Sequence, residues 1–139
     1  MNIATDTSDI RSQLKIVMKK FVKCFIFSLD GIYNAIKSEH NFRIHLILML
    51  LAIAFGIYLG LSILEWSLII FAIGFVLAAE LFNTSVERLS DKVSGGEISP
   101  LVKNSKDLAA GGVLIAAITA LVIGILILLI PFIQKVVDL

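Results

Sequence analysis

A row of polar residues interrupts an apolar stretch in the segment AAELFNTSVERLSDKV, which covers residues 78–93. Four of them recur at spacings of three and four: Glu80, Asn83, Glu87 and Asp91. On an α-helix, at 100° per residue, all four lie within roughly 60° of one line. Carboxylates in such a row can accept a proton from a hydroxyl group or bind a divalent cation. The spacing therefore predicts one helix face with the groups for acid–base or metal-assisted chemistry.

Glu80 stands out because the segment 66–79 before it carries no charge. An acidic side chain inside a bilayer costs on the order of 2.5 to 3.5 kcal/mol by insertion scales, and such acids are usually functional. Glu87 and Asp91, nearer the end of the row, could have a purely structural role instead, since a helix that runs into water can form surface ion pairs. The candidate partners of Glu87 and Asp91 in such pairs are Arg88, Lys92 and Lys106.

The elements that carry these residues follow from an apolar composition. The chain has 139 residues, of which 58% are hydrophobic and 17% charged, against roughly 25% charged in soluble domains. Uncharged runs predict membrane spans at about 46–64, 66–87 and 108–133, since about 20 helical residues cross a hydrocarbon core of about 30 Å. The second span is long enough only if Glu80 lies inside it, and Pro131 could end or kink the third. The single cysteine, Cys24, excludes an intrachain disulfide.

A fourth helix is predicted before the spans, at about residues 10–38. Its apolar residues recur at spacings of four and three: Ile10, Leu14, Val17, Phe21 and Phe25. A second stripe is basic: Lys15, Lys19 and Lys23. This pattern predicts an amphipathic helix on the inner membrane surface. We therefore expect an all-α membrane protein, with one surface helix and three transmembrane helices in a single domain over residues 1–139.

The basic residues orient the spans. Seven precede the first span, none lies in the connector near Glu65, four lie between the second and third spans, and one follows the third. Basic residues accumulate on the cytoplasmic side. We therefore expect a multi-pass membrane protein with a cytoplasmic N-terminus and a cytoplasmic second loop.

Two further segments place polar residues at the mouths of spans. The segment VKNSKDLAAGG contains Lys106, which could neutralise phosphate oxygens, and Asp107, which could cap a helix or hold a cation. The segment GIYNAIKSEHNFRIH, residues 31–45, could be a solvated charged junction or part of a site. The chain has no G-x-x-x-x-G-K-[ST] loop and no protein-kinase signature set, so a kinase built on this chain would use neither of those ATP-binding scaffolds.

The segment ELFNTSVERLSD resembles the signature of the prokaryotic diacylglycerol kinase and undecaprenol kinase family of small membrane lipid kinases. That signature reads Glu, two residues, Asn-[Ser/Thr], then Glu and Asp four apart. KDLAAGGVL resembles the second block of the family, and GIYNAIKSEHNFRIH resembles its N-terminal glutamate segment. The likeness runs from about Lys20 to Ile130.

The resemblance implies a role for each matching residue. Glu80 corresponds to the catalytic base and also contacts the lipid substrate, and Glu39 and Glu87 correspond to metal ligands. The implied nucleotide-binding residues are Lys20, Glu39, Asn83, Glu87, Glu97, Lys106 and Asp107. The implied substrate-binding residues, besides Glu80, are Gly31, Asn41 and Arg43. The resemblance further implies ATP as co-substrate, Mg²⁺ as cofactor, a membrane lipid alcohol as acceptor, a homotrimer with shared active sites, and no nucleic-acid partner. It also implies a location in the bacterial cytoplasmic (inner) membrane.

We therefore predict an ATP-dependent lipid kinase. Undecaprenol is the preferred substrate, because SEHNFRIH resembles the undecaprenol kinase branch, and diacylglycerol is the alternative. A competing class is a non-enzymatic membrane protein, such as a proton-path or assembly subunit. That class would give Glu80 a task as a relay and would leave Glu39 and Glu87 without one.

Overall fold

The computed structural model describes residues 3–95, 97 and 99–138, and every regular element in this part of the chain is helical. The chain divides into two compact units, Met1–Ser38 and Glu39–Leu139. The elements in order are α1 (Ile3–Ser38), α2 (His40–Leu59), α3 (Ile63–Ser94), α4 (Pro100–Gly124), a π-helical turn (Ile125–Leu129) and α5 (Ile130–Val137). The all-α prediction is confirmed.

The first unit is the single helix α1, which begins at Ile3 rather than near residue 10 as predicted. The prediction relied on apolar periodicity, which the polar segment 4–9 does not show. Apolar side chains such as Phe21 and Phe25 are exposed on α1. Both the periodic apolar residues and the lysines of α1 are therefore exposed within this unit.

The second unit contains three helices long and apolar enough to cross a membrane: His40–Leu59, Ile63–Ser94 and Pro100–Val137. They confirm the three predicted spans. The first ends at Leu59 instead of Leu64, because Gly60 adopts a left-handed conformation with φ 73° and closes the helix. Ser62 then begins α3 with a reciprocal capping box, in which its backbone N–H donates to Glu65 Oε2 at 2.7 Å.

Gly56 allows α2 and α3 to approach closely at this end of the unit. A Cβ atom on Gly56 would lie 3.0 Å from Cη2 of Trp66 and 3.0 Å from Cδ1 of Leu61. The indole ring of Trp66 therefore lies directly against the backbone of α2. Glycine is required here by close packing, since its backbone lies within a regular helix.

The turn at the opposite end is also set by its own residues. Gly95, with φ 60°, follows the last residue of α3, and Ser99 caps α4 by accepting a hydrogen bond from the backbone N–H of Val102 at 3.3 Å. Pro100 occupies the first helical position, where its missing N–H costs nothing. The capping role considered for Asp107 is wrong, because α4 begins seven residues earlier, at Pro100.

Pro131 does not end the third span, but the helical turn before it is not a regular α-helix. The preceding turn, Ile125–Leu129, is π-helical, and the backbone N–H of Ile130 donates to the carbonyl of Ile125. In a regular α-helix the proline ring would clash with the carbonyl four residues earlier. The wider turn accommodates the ring, so the helix continues to Val137.

The buried face of α3 is the centre of this unit. It comprises Ile69, Ala72, Val76, Glu80, Asn83 and Thr84, at helical spacing. The same face therefore changes from apolar to polar between Val76 and Glu80. Elsewhere most apolar residues point outward, and only 11%, 22% and 11% of the most apolar stretch of the three spans is buried. Lipid or another protein chain must cover the remainder.

Candidate active site

The predicted polar row lies on the buried face of α3 and becomes more exposed toward the C-terminal end of this helix. Glu80 is 3% exposed and Asn83 7% exposed, while Glu87 is half-buried and Asp91 exposed. The row thus leads from the interior of the helix bundle to water. We refer to Glu39, Glu80, Asn83 and Glu87 together as the polar cluster.

Asn83 and Glu87 are joined within the cluster. The Asn83 amide nitrogen donates to Glu87 Oε1 at 3.1 Å. Since an ionised carboxylate only accepts hydrogen bonds, this contact fixes the orientation of the amide. The other end of the amide, Asn83 Oδ1, is buried and has no hydrogen-bond partner among the described residues. Buried polar atoms almost always have a partner, so this oxygen indicates that a further group binds here.

Glu39 reaches the cluster from α2. It is the N-cap residue of α2, but its side chain makes no capping hydrogen bond. Instead Oε1 accepts a hydrogen bond at 2.6 Å from Nη2 of Arg88, on α3. This ion pair joins the start of α2 to the segment of α3 that carries the polar row.

Charged groups on all three spans approach one another here. Glu80 lies within electrostatic range of His45, Glu87 and Glu39. From α4, Lys106 contacts Asp91 Oδ1 at 2.9 Å and lies within electrostatic range of Glu87. The surface ion pair considered for Asp91 is therefore confirmed, with Lys106 as its partner.

An apolar cavity of about 480 Å³ lies between α2, α3 and the third span, and reaches the turn of α3 before Glu80. His45, Val76 and Leu77 line it at this end, and its other walls are apolar residues such as Phe55 and Leu128. Alkyl groups can bind such a surface without loss of hydrogen bonds. The cavity and Glu80 together could therefore hold an apolar molecule whose polar end faces a carboxylate.

The donor set of the cluster matches that of a magnesium site. In the described part of the chain no three His, Cys, Asp or Glu side chains converge as a complete metal site. Mg²⁺ does not need one, since it typically uses one or two carboxylates together with water and substrate phosphates. The carboxylates of Glu39 and Glu87 and the unpartnered oxygen of Asn83 are the hard oxygen ligands it prefers.

Comparison with known proteins places the chain in a family. The family model for prokaryotic diacylglycerol kinase matches residues 26–128. The chain belongs to the prokaryotic diacylglycerol kinase family. It is 35% identical to the undecaprenol kinase of Bacillus subtilis over 124 residues, which cover 89% of this chain and 97% of that protein. It is 37% identical to a diacylglycerol kinase of Helicobacter pylori over 100 residues, which cover 72% of this chain and 77% of that protein.

Family membership confirms the predicted resemblance and the class of enzyme. The chain is a lipid kinase, a phosphotransferase that acts on an alcohol acceptor. The alternative prediction, a non-enzymatic membrane subunit, is therefore wrong.

The structure brings some of the predicted site residues together. Asn83 and Glu87 are in contact, Glu80 lies within electrostatic range of Glu39 and Glu87, and Lys106 lies within electrostatic range of Glu87. Asp107 instead pairs with Lys103, one turn earlier on α4, at 2.6 Å. Of the others, Asn41 and Arg43 are exposed in the first turn of α2, and Glu97 is exposed between α3 and α4. Lys20 and Gly31 lie on α1, in the first unit.

Sequence reasoning did not assign a role to His45 or to Arg88. His45 lies on the same face of α2 as the buried Phe42 and the cavity residues Met49 and Ala52, at spacings of three and four. This helical spacing is the sequence pattern that could have indicated His45. Arg88 was considered only as a partner for Glu87 or Asp91, and no local pattern indicates its pairing with Glu39, 49 residues away.

Proposed function

We propose that this kinase transfers the γ-phosphoryl group of ATP to the hydroxyl group of a membrane lipid alcohol, preferably undecaprenol, at the inner face of the cytoplasmic membrane. The observation that carries the proposal is a buried acid, Glu80, between an apolar cavity and a row of phosphate- and metal-compatible groups. One side of Glu80 suits a lipid, and the other suits a charged, water-soluble reactant.

In the proposed reaction Glu80 accepts the proton of the lipid hydroxyl while its oxygen attacks the γ-phosphorus. A new phosphorus–oxygen bond forms to the lipid, the bond between the γ-phosphorus and the bridging oxygen breaks, and ADP leaves. Leu77, in the wall of the cavity, lies three residues before Glu80 on α3. A lipid bound in the cavity would therefore have its hydroxyl group near Glu80. Such positioning, together with fixed charges, supplies most of the catalysis in phosphoryl transfer.

Glu39 and Glu87 are the proposed metal ligands. Lys106 and the second amide N–H of Asn83, beside the one that binds Glu87, are the proposed phosphate contacts. When bound, Mg²⁺ would offset charge on the phosphate oxygens. Lys106 would add a positive charge from α4, close to Glu87. Lys20, Glu97 and Asp107 remain proposed nucleotide contacts, and Gly31, Asn41 and Arg43 proposed substrate contacts, on the family resemblance alone.

Two observations support undecaprenol over diacylglycerol. The relative named undecaprenol kinase aligns over 97% of its length, and the Helicobacter pylori relative named diacylglycerol kinase over 77%. The segment SEHNFRIH, which supplies Glu39 and His45, also resembles the undecaprenol kinase branch.

The decisive test is ATP consumption by the purified protein in lipid vesicles that contain undecaprenol, diacylglycerol or neither. We expect Mg²⁺-dependent ADP release with undecaprenol, less with diacylglycerol, and none without an alcohol. Faster turnover of diacylglycerol would reverse the substrate preference, and no alcohol-dependent ADP release would refute the proposed reaction.

We further propose a homotrimer with active sites shared between subunits, as the resemblance implies. The three spans leave most of their apolar surface outward, which gives neighbouring subunits a surface on which to pack.

The proposed orientation predicts which end of α3 a thiol reagent can reach from outside the cell. Ile63 and Val93, at opposite ends of α3, are 88% and 76% exposed. In a Cys24→Ser background, Ile63→Cys should react with an impermeant thiol reagent on intact cells, and Val93→Cys only after lysis. This follows because the basic residues lie on the side of Val93. The opposite labelling pattern would place the polar cluster away from cytoplasmic ATP.

A further inference from the structure

The ion pair between Arg88 and Glu39 occupies one of the two proposed metal ligands. Arg88 Nη2 lies 2.6 Å from Glu39 Oε1. The backbone of Glu39, with φ −98° and ψ 118°, places it at the N-cap of α2, where its side chain makes no capping contact. A guanidinium therefore provides positive charge to this carboxylate.

The pair is built so that it can open. The side chain of Arg88 is 51% exposed and that of Glu39 27% exposed, so water reaches both groups. Ion pairs between exposed groups contribute little to stability. A divalent cation that also binds phosphate oxygens can displace the guanidinium from Glu39 at little cost.

The position of Arg88 gives the displaced guanidinium a new partner. Arg88 follows Glu87, the other proposed metal ligand, directly in sequence. Because its guanidinium also reaches Glu39, Arg88 would lie within reach of phosphates bound at a metal that Glu39 and Glu87 hold. The planar guanidinium matches the geometry of phosphate oxygens better than a lysine ammonium does.

We propose that Arg88 is a nucleotide-phosphate contact that holds Glu39 in the nucleotide-free protein and exchanges it for the phosphates when the metal and nucleotide bind. This inference rests on the proposed function and adds a residue that the family resemblance did not supply. The ion pair would keep the two acidic ligands from repelling each other in the empty site, and would place the guanidinium beside the incoming phosphates.

The test measures two affinities of the full-length protein in lipid nanodiscs. Mn²⁺, which substitutes for Mg²⁺ and is visible by electron paramagnetic resonance, reports metal binding without nucleotide. Calorimetry with ADP in excess Mg²⁺ reports nucleotide binding. Arg88→Gln should bind Mn²⁺ more tightly than the wild type, because Glu39 is released. It should bind ADP roughly 10-fold more weakly, because a charged hydrogen bond is lost.

Two further variants separate this exchange from a general loss of positive charge. Lys92→Gln removes a cation one turn further along α3, and should change both affinities less than Arg88→Gln. In a Glu39→Gln background, Arg88→Gln should no longer tighten Mn²⁺ binding but should still weaken ADP binding. Arg88→Lys should restore part of the ADP affinity.

Each half of the inference can fail by itself. Unchanged or weaker Mn²⁺ binding in Arg88→Gln would refute the competition for Glu39, and unchanged ADP binding would refute the phosphate contact. If the wild type shows alcohol-dependent ADP release, either of these results would overturn the role of Arg88 and leave the proposed function intact. A wild type without that ADP release would instead count against the proposed function.

Discussion

A Glu80→Gln variant should turn over about 10² to 10⁴ times more slowly than the wild type, while its affinity for nucleotide changes little. Glutamine keeps the size and polarity of the side chain but cannot accept the proton of the lipid hydroxyl. The loss should therefore appear in kcat. Steady-state rates of ADP release at saturating alcohol, together with calorimetric ADP binding, separate the two quantities.

Glu65→Gln is the matched control, since it makes the same chemical change at the other end of α3. Glutamine can still accept the hydrogen bonds of the capping box with Ser62, so this variant should leave turnover close to that of the wild type. A well-folded Glu80→Gln protein with turnover near that of Glu65→Gln would exclude Glu80 as the base.

Replacement of either proposed metal ligand should raise the Mg²⁺ concentration needed for half-maximal activity, by roughly 10-fold or more. Glu87→Gln is the cleaner change, because glutamine Oε1 can still accept the hydrogen bond from Asn83 and only the charge is lost. Glu39→Gln also reduces the ion pair with Arg88 to a hydrogen bond with a neutral acceptor, so its effect combines two losses. Activity measured over a Mg²⁺ titration at fixed ATP gives the midpoint for each variant.

Asp91→Asn tests whether any lost carboxylate on α3 would have the same effect. Asp91 lies one turn beyond Glu87 and pairs with Lys106, outside the proposed donor set. Its variant should keep the Mg²⁺ midpoint of the wild type. If Glu87→Gln and Asp91→Asn shifted the midpoint equally, the assignment of Glu87 as a ligand would be wrong.

The spans could be predicted from the sequence because a membrane helix requires a long uncharged run, and the run length is visible without knowledge of packing. Their ends were predicted less well. Gly60 and the pattern Ser62-x-x-Glu65 are a helix stop and a capping box, but both lie at the end of one apolar run. Counting charge alone placed Gly60 and Ser62 inside the first span.

In the candidate site, too, contacts within one helix could be predicted from the sequence, and contacts between helices could not. The row from Glu80 to Asp91 could be predicted because residues on one helix keep a fixed angular spacing. The contact of Glu39 with Arg88 joins two helices, and depends on how α2 and α3 rotate against each other. That rotation follows from side-chain packing, such as the ring of Trp66 against Gly56, which a single sequence does not specify.

The size of the cavity bears on how the kinase would encounter its substrate. A volume of about 480 Å³ encloses a small organic molecule, whereas a long polyprenyl alcohol is far larger. Most of such a chain would remain among the bilayer lipids while its hydroxyl end reached Glu80. The relevant substrate concentration is then the mole fraction of alcohol in the plane of the membrane. Beyond the first few groups, chain length would act through partition into the bilayer, and dilution with inert lipid would slow the enzyme at a constant total amount of alcohol.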